Sequence, residues 1–136
     1  MSDEIKIAVV LRDDLAVWQK LNVTAFLVSG FGSFCPELIG QPYEDGSGQR
    51  YQAMFGHPVL VFATDAAGIR RTFDRARSRG LATSVYTDDL FATYNDVDNR
   101  AQVAAVATDD LKLAGFAVFG QRRMVDKALD RVKLHP

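Results

Sequence analysis

Residues 5–32, IKIAVVLRDDLAVWQKLNVTAFLVSGFG, decide the reading of the whole chain. Ile5 to Leu11 is apolar apart from Lys6, which predicts a central strand covered on both faces. Arg12, Asp13 and Asp14 stop it. Either aspartate is placed to cap the next helix, because a carboxylate accepts bonds from the free N–H groups of a first turn. From Leu15 to about Ser29, the residues Val17, Trp18, Leu21, Ala25 and Val28 recur at helical spacing, and Val23, Phe26 and Leu27 form a second apolar face. Water is expected only near Gln19, Lys20, Asn22 and Thr24, so the helix is either sandwiched in the core or part of an oligomer contact. Gly30 and Gly32 end it.

Residues 33–57 read as irregular. Pro36 and Pro42 argue against a central strand, and the DGSG turn joins two short edge strands, Gln41–Glu44 and Arg50–Met54. A loop this long in a compact domain is characteristic of lids and binding loops. Pro58 to Ala63 is a second buried strand. Asp65 caps a helix from Ala66 to about Ser78, with Ile69, Phe73 and Ala76 on one stripe, and Gly80 ends it. Ala82 to Thr87 is rich in β-branched residues and forms the third strand. Asn99 caps a short helix, Arg100 to Val106, although QVAAV also passes as a strand. Phe116 to Phe119 is the fourth strand. The last helix runs from Gln121 to about Lys133, with Met124, Val125, Ala128, Leu129 and Val132 on one face.

Strands alternating with helices predict one α/β domain over residues 1–136: three layers, α/β/α, around a mixed, mainly parallel four-stranded sheet. Ligands on such sheets gather beyond the carboxyl ends of the strands. Those ends carry Arg12–Asp14, Thr64–Asp65, Thr87–Asp89 and Gly120–Arg122.

The chain has 136 residues, enough for one core without disulfide or metal support. Its single cysteine, Cys35, allows no internal disulfide and suits a reducing compartment. MSDEIK lacks the apolar run of a signal peptide, and no stretch approaches the roughly 20 apolar residues of a membrane span, so a cytoplasmic protein without a membrane partner is expected. Sixteen basic residues against seventeen acidic ones leave a net charge of −1, unlike the strongly basic balance of most nucleic-acid binders. Arg70, Arg71, Arg75, Arg77 and Arg79 crowd one helix, read first as a solvated face.

Neither GxGxxG nor GxxxxGK[ST] is present, so dinucleotide and P-loop cofactors have no support and no cofactor is expected. There is no GxSxG elbow. Cys35 reads as a small hydrophobe, and His57 as a turn residue. His135 is expected to fray, which leaves no metal site. Asp88 and Asp89, after the third strand, are the best acid/base candidates, although capping or turn formation is the first reading of the pair. Lys20 is the best cationic candidate. Its stem either snorkels to water, or its ammonium faces Asp88 or Asp89 and polarises a carbonyl.

The strand IKIAVVLRDDL leading into a helix with Lys20 resembles the opening of the type 2 peptidyl-tRNA hydrolases, whose K-x-x-V-V-R-x-D-L strand precedes a helix with an essential lysine. RGLATSVYTDD followed by Thr93 resembles that family's third strand, which ends in an aspartate with a threonine four residues later. More closely, RDDL, WQKLNV, TDDL, NRAxVAAV and the GxAxFG strand resemble DUF2000, a bacterial family of unknown function assigned to the same fold.

Two functions are expected from this. The hydrolase resemblance implies cleavage of the ester joining a peptidyl or acyl group to tRNA. Lys20 would stabilise negative charge, Asp89 would orient a water or the lysine, and Thr93 would support the pair; Arg12, Asn22 and Asp88 would bind substrate in the same crevice. The alternative is a non-catalytic module binding a small molecule or a partner on the same fold, favoured by Leu90, Phe91 and Ala92 standing between Asp89 and Thr93 where the hydrolase family has a glycine and a basic residue, by the 33–57 loop and by the absence of net positive charge. The partners are then tRNA or a small-molecule ligand, and a second copy of the chain: the apolar first helix and Phe31, Phe34 and Phe55 predict a homodimer.

Overall fold

The computed structural model describes residues 4–136. Strand β1 (Ile5–Arg12) occupies the centre of the sheet, and Ile7, Ala8, Val9 and Val10 are wholly buried. Alternation sends Ile7, Val9 and Leu11 into one core and Ala8 and Val10 into another. Helices α1 (Val17–Val28) and α2 (Phe31–Phe34) cover the first face. Helices α3 (Ala66–Ser78) and α5 (Arg122–Ala128) cover the second.

The sheet has five strands, not four, in the order β5-β6-β1-β4-β7. Strand β4 (Val59–Thr64) lies parallel to β1, with Ile7 opposite Val59 and Arg12 opposite Thr64. It is the only parallel pair among the described residues, so the sheet is mixed but not mainly parallel. Strand β6 (Leu113–Gln121), longer at both ends than expected, runs antiparallel between β1 and β5 (Ala82–Thr87). The reason lies in the connection. A parallel strand needs a crossover that carries the chain back to the other end of the sheet. Residues 88–112 supply none: helix α4 (Asp96–Ala104) buries no residue, and β6 therefore starts beside the end of β5 and runs back. Helix α4 is capped by the Asn95 side chain at Asp98 N, four residues before the expected cap at Asn99.

The fifth strand comes from the C-terminus. Helical periodicity predicts a helix to Lys133, and Val125, Ala128 and Leu129 are indeed buried. Helix α5 nevertheless stops at Ala128, Arg131 adopts a left-handed φ of 71°, and β7 (Lys133–Leu134) pairs antiparallel with β4. His135 N donates to Val61 O at 2.9 Å, so His135 is held rather than frayed.

Helix α1 differs from expectation at both its start and its surface. Neither Asp13 nor Asp14 caps it. Ala16 is the first flanking residue, and its N–H donates to Gln19 Oε1 at 2.9 Å. Only Val23 and Leu27 are buried, while Val17, Trp18, Leu21 and Phe26 are exposed. Val23 sits over Gly115 of β6, where a Cβ would lie 3.0 Å from its Cγ1.

Of the remaining local expectations, the cap of α3 and the DGSG turn hold. Asp65 caps α3 through Gly68 N at 2.8 Å. Around DGSG, β2 (Tyr43–Glu44) and β3 (Arg50–Tyr51) form a hairpin, shorter than expected and separate from the main sheet. Residues 33–57 are less irregular than expected, because α2, a 3-10 turn at Pro36–Leu38 and an Ile39–Phe55 bridge fold them down.

Candidate functional site

The ends of β1, β4 and β5 and the start of β6 lie at one end of the sheet. Because β6 runs the other way, Gly120–Arg122 leaves this group: Arg122 N donates to Glu4 O at 2.7 Å, at the opposite end. Lys112 and Leu113 take its place. With Arg12, Asp14 and Asp88 they line a crevice of about 350 Å³, closed on one side by Ala66, Ile69 and Arg70 of α3.

Arg12 is the centre of this crevice. Its Nε donates to Asp14 Oδ1 at 2.6 Å, and its Nη1 lies 2.9 Å from Asp88 Oδ1 and donates to Leu113 O at 3.1 Å. Burial works against the charged guanidinium, but the bonds to Asp14 and Asp88 outweigh it, so Arg12 holds its proton more tightly than usual. The position is fixed from both sides: Asp88 N donates to Lys112 O at 2.9 Å, tying the acid to the strand whose next carbonyl the arginine reads. Nη2 keeps its donors without a protein partner among the described residues.

The arginine run on α3 is only partly a solvated face. Arg70 Nη2 donates to Thr108 O at 2.9 Å and lies 3.3 Å from Asp74, which pins the segment leading into β6. Arg75 donates to Asp130 O at 3.1 Å, and Arg77 lies over the Phe73 ring. Arg71 and Arg79 are exposed.

The other expected site residues fall in three places. Lys20 Nζ lies 3.1 Å from His135 Nε2 rather than facing Asp88 or Asp89. Asn22 and Thr93 share a groove of about 320 Å³ with Trp18, Tyr94 and Asn99. Thr93 Oγ1 donates to Leu90 O at 2.9 Å and also contacts Asn99 Oδ1, closing the 3-10 turn Asp88–Ala92. Asp89 is exposed on that turn, with no side-chain hydrogen bond or ion pair among the described residues. Residues two positions apart on a helix are roughly 160° apart around its axis, so Lys20 and Asn22 look away from each other. The structure thus joins Arg12 to Asp88 and Asn22 to Thr93, and leaves Lys20 and Asp89 apart.

No group of three His, Cys, Asp or Glu side chains that could hold a metal occurs among the described residues. No helix among them is long and apolar enough to cross a membrane. Lys112 and Arg70 were the site residues hardest to foresee. Lys112 precedes a strand whose direction no local signal reports, and Arg70 is one of five arginines that look alike in sequence.

Fold and site together define an α/β domain with a charged crevice at the strand ends. The chain belongs to the family described as "Protein of unknown function (DUF2000)", whose family model matches residues 5–136. Among solved structures it is similar to a protein of unknown function from Agrobacterium tumefaciens strain C58, at 46% identity and a TM-score of 0.94, over 100% of both chains. No curated protein matches it.

Proposed function

We propose that this protein is a binding module for a small molecule bearing a carboxylate or phosphate, seated in the crevice at Arg12. The observation that carries this reading is the unpaired Nη2 edge of a guanidinium that two carboxylates and a backbone carbonyl hold rigid. A cation fixed in advance binds an anion without first ordering a long side chain. Lys112 and Arg70 in the walls add two further cations to the lining, with Arg70 shared between Asp74 at 3.3 Å and Asp109 at 3.4 Å. The test is titration with inorganic phosphate and with acetate, followed by amide NMR shifts. Shifts at Arg12, Asp88 and Lys112 that Arg12→Ala abolishes are expected. Shifts elsewhere, or none, would exclude the crevice.

A second reading, hydrolysis of peptidyl- or acyl-tRNA esters, is favoured by the meeting of Asn22 and Thr93 in one groove. Helices on both faces of the sheet are also what a three-layer fold like that of the type 2 peptidyl-tRNA hydrolases requires. In this reading Lys20 stabilises negative charge and Asp89 orients water, which requires Lys20 to leave His135. A peptidyl-tRNA cleavage assay on wild type, Lys20→Ala and Asp89→Asn decides it. Activity that both substitutions abolish supports the reading, and activity that both leave intact removes these roles. A wild type with no activity returns the protein to the binding module. Binding to tRNA should weaken steeply with salt if phosphate contacts carry it.

A further inference from the structure

The outward face of α1 is an uncovered apolar stripe. Val17 is 73% exposed, Trp18 63%, Leu21 68% and Phe26 55%, and Phe34 of α2 adds a ring that is 75% exposed. Asn22, Ala25 and Ser29 complete the stripe, and all are uncharged. Lys20, the one charged residue of α1, is turned away toward His135. Trp18, Phe26 and Tyr94 line one groove, and Phe26 and Phe34 line the next, so the side chains form a continuous patch. From typical aromatic and aliphatic areas the patch amounts to roughly 800 Å² when Tyr94 is included. Monomers rarely leave more than roughly 600 Å² of contiguous apolar surface open. One partner of a standard interface buries roughly 800 Å².

We infer that this face is where two copies of the chain associate, α1 against α1 across a two-fold axis. A two-fold axis places each patch against itself, so any net charge on it would repel its own copy. The α1 stripe has no charge to repel, and Asp96 at the smaller hollow is paired with Arg100. A two-fold interface also requires projections and hollows on the same surface, and both are present. Trp18 and Leu21 project, while hollows of about 410 Å³ (Phe26, Phe31, Phe34, Phe119) and about 320 Å³ lie on either side of Phe26. Ala25, between Leu21 and Ser29, gives the small side chain that lets two helix axes approach to roughly 8–10 Å. A partner with a strongly acidic or basic surface would find no counter-charge on this stripe.

Trp18 is the only tryptophan, so its fluorescence reports this surface alone. Sedimentation and emission spectra over a concentration series test the inference. A dimer mass is expected, with Trp18 emission moving to shorter wavelength as the dimer forms. Leu21→Glu and, as a second variant on the stripe, Ala25→Arg should each give a monomer with red-shifted emission and wild-type far-ultraviolet circular dichroism. If one variant fails to fold, the other decides. A wild type that stays monomeric at millimolar concentration overturns the inference, as does a dimer that the folded variants leave intact. A monomer whose Trp18 emission shifts only on adding lipid vesicles overturns it too, and assigns the face to a membrane surface.

Discussion

Lys20 Nζ lies 3.1 Å from His135 Nε2, joining the first helix to the residue that follows the last strand, across 115 positions of sequence. The contact exists because β7 closes the open edge of β4, where Phe62 faces Leu134 and Ala63 faces Lys133. Truncation after Val132 should therefore uncover that edge and remove a few backbone hydrogen bonds. A loss of about 1–3 kcal/mol is expected at roughly 1 kcal/mol per bond, read as a lower urea midpoint. An unchanged midpoint would show that β7 contributes nothing to the fold.

Gly115 is the point where α1 meets the sheet. A Cβ there would lie 3.0 Å from Val23 Cγ1 and 3.1 Å from Val10 O, and the second contact is backbone. Gly115→Ala should cost about 1–3 kcal/mol by overpacking. Val23→Ala in the same chain should restore part of the loss, since it relieves one of three close contacts, the third being Leu11 Cδ2 at 3.2 Å; additive effects in the double variant would contradict this packing.

Removing Arg12 should leave Asp88 beside an empty place in the crevice. Asp88 is partly exposed, so solvent moderates the penalty, and Arg12→Ala is expected to cost about 1–2 kcal/mol. Arg12→Lys should recover little of it, because an ammonium cannot span Asp14, Asp88 and Leu113 O as a guanidinium does. A double-mutant cycle with Asp88→Asn measures the coupling. A coupling of zero would reduce the pair to a coincidence of position.

Cys35 Sγ donates to Glu37 Oε2 at 3.2 Å. This bond, with a smaller contribution from burial, pushes the Cys35 thiol above its ordinary range. A raised value means less thiolate at any given pH, so alkylation should be slow and its pH midpoint displaced upward. Glu37→Gln removes the charge that opposes the thiolate, and iodoacetamide should then react several-fold faster at mildly alkaline pH. A slower reaction would show that the contact acts in the opposite sense.

Elements governed by short-range chemistry were legible in the sequence. β5 begins and ends where its composition says, Asp65 caps α3, and DGSG turns a hairpin. Features that depend on distant partners were not. Periodicity in GFAVFG announces a strand but carries no sign of its direction. The apolar positions of α5 continue past Ala128 although the helix does not, because pairing with the edge of β4 competes for the same residues. In the site, the joining of Arg12 and Asp88 followed from strand ends converging. Lys20 was misleading for a local reason, since a lysine in an apolar helix announces that it must find a polar partner and does not say on which side.

By itself the sequence determined an α/β domain, its central strand, most of its helices and the presence of charged residues at strand ends. Those are consequences of side-chain period and backbone preference, which act over a few residues. Tertiary structure alone decided that β6 runs against its neighbours, that a fifth strand comes from the C-terminus, that Lys20 meets His135, and that the apolar face of α1 is left open. Each of these is set by which surfaces are close enough to cover one another, and a helix apolar on two faces cannot state which one the sheet will take.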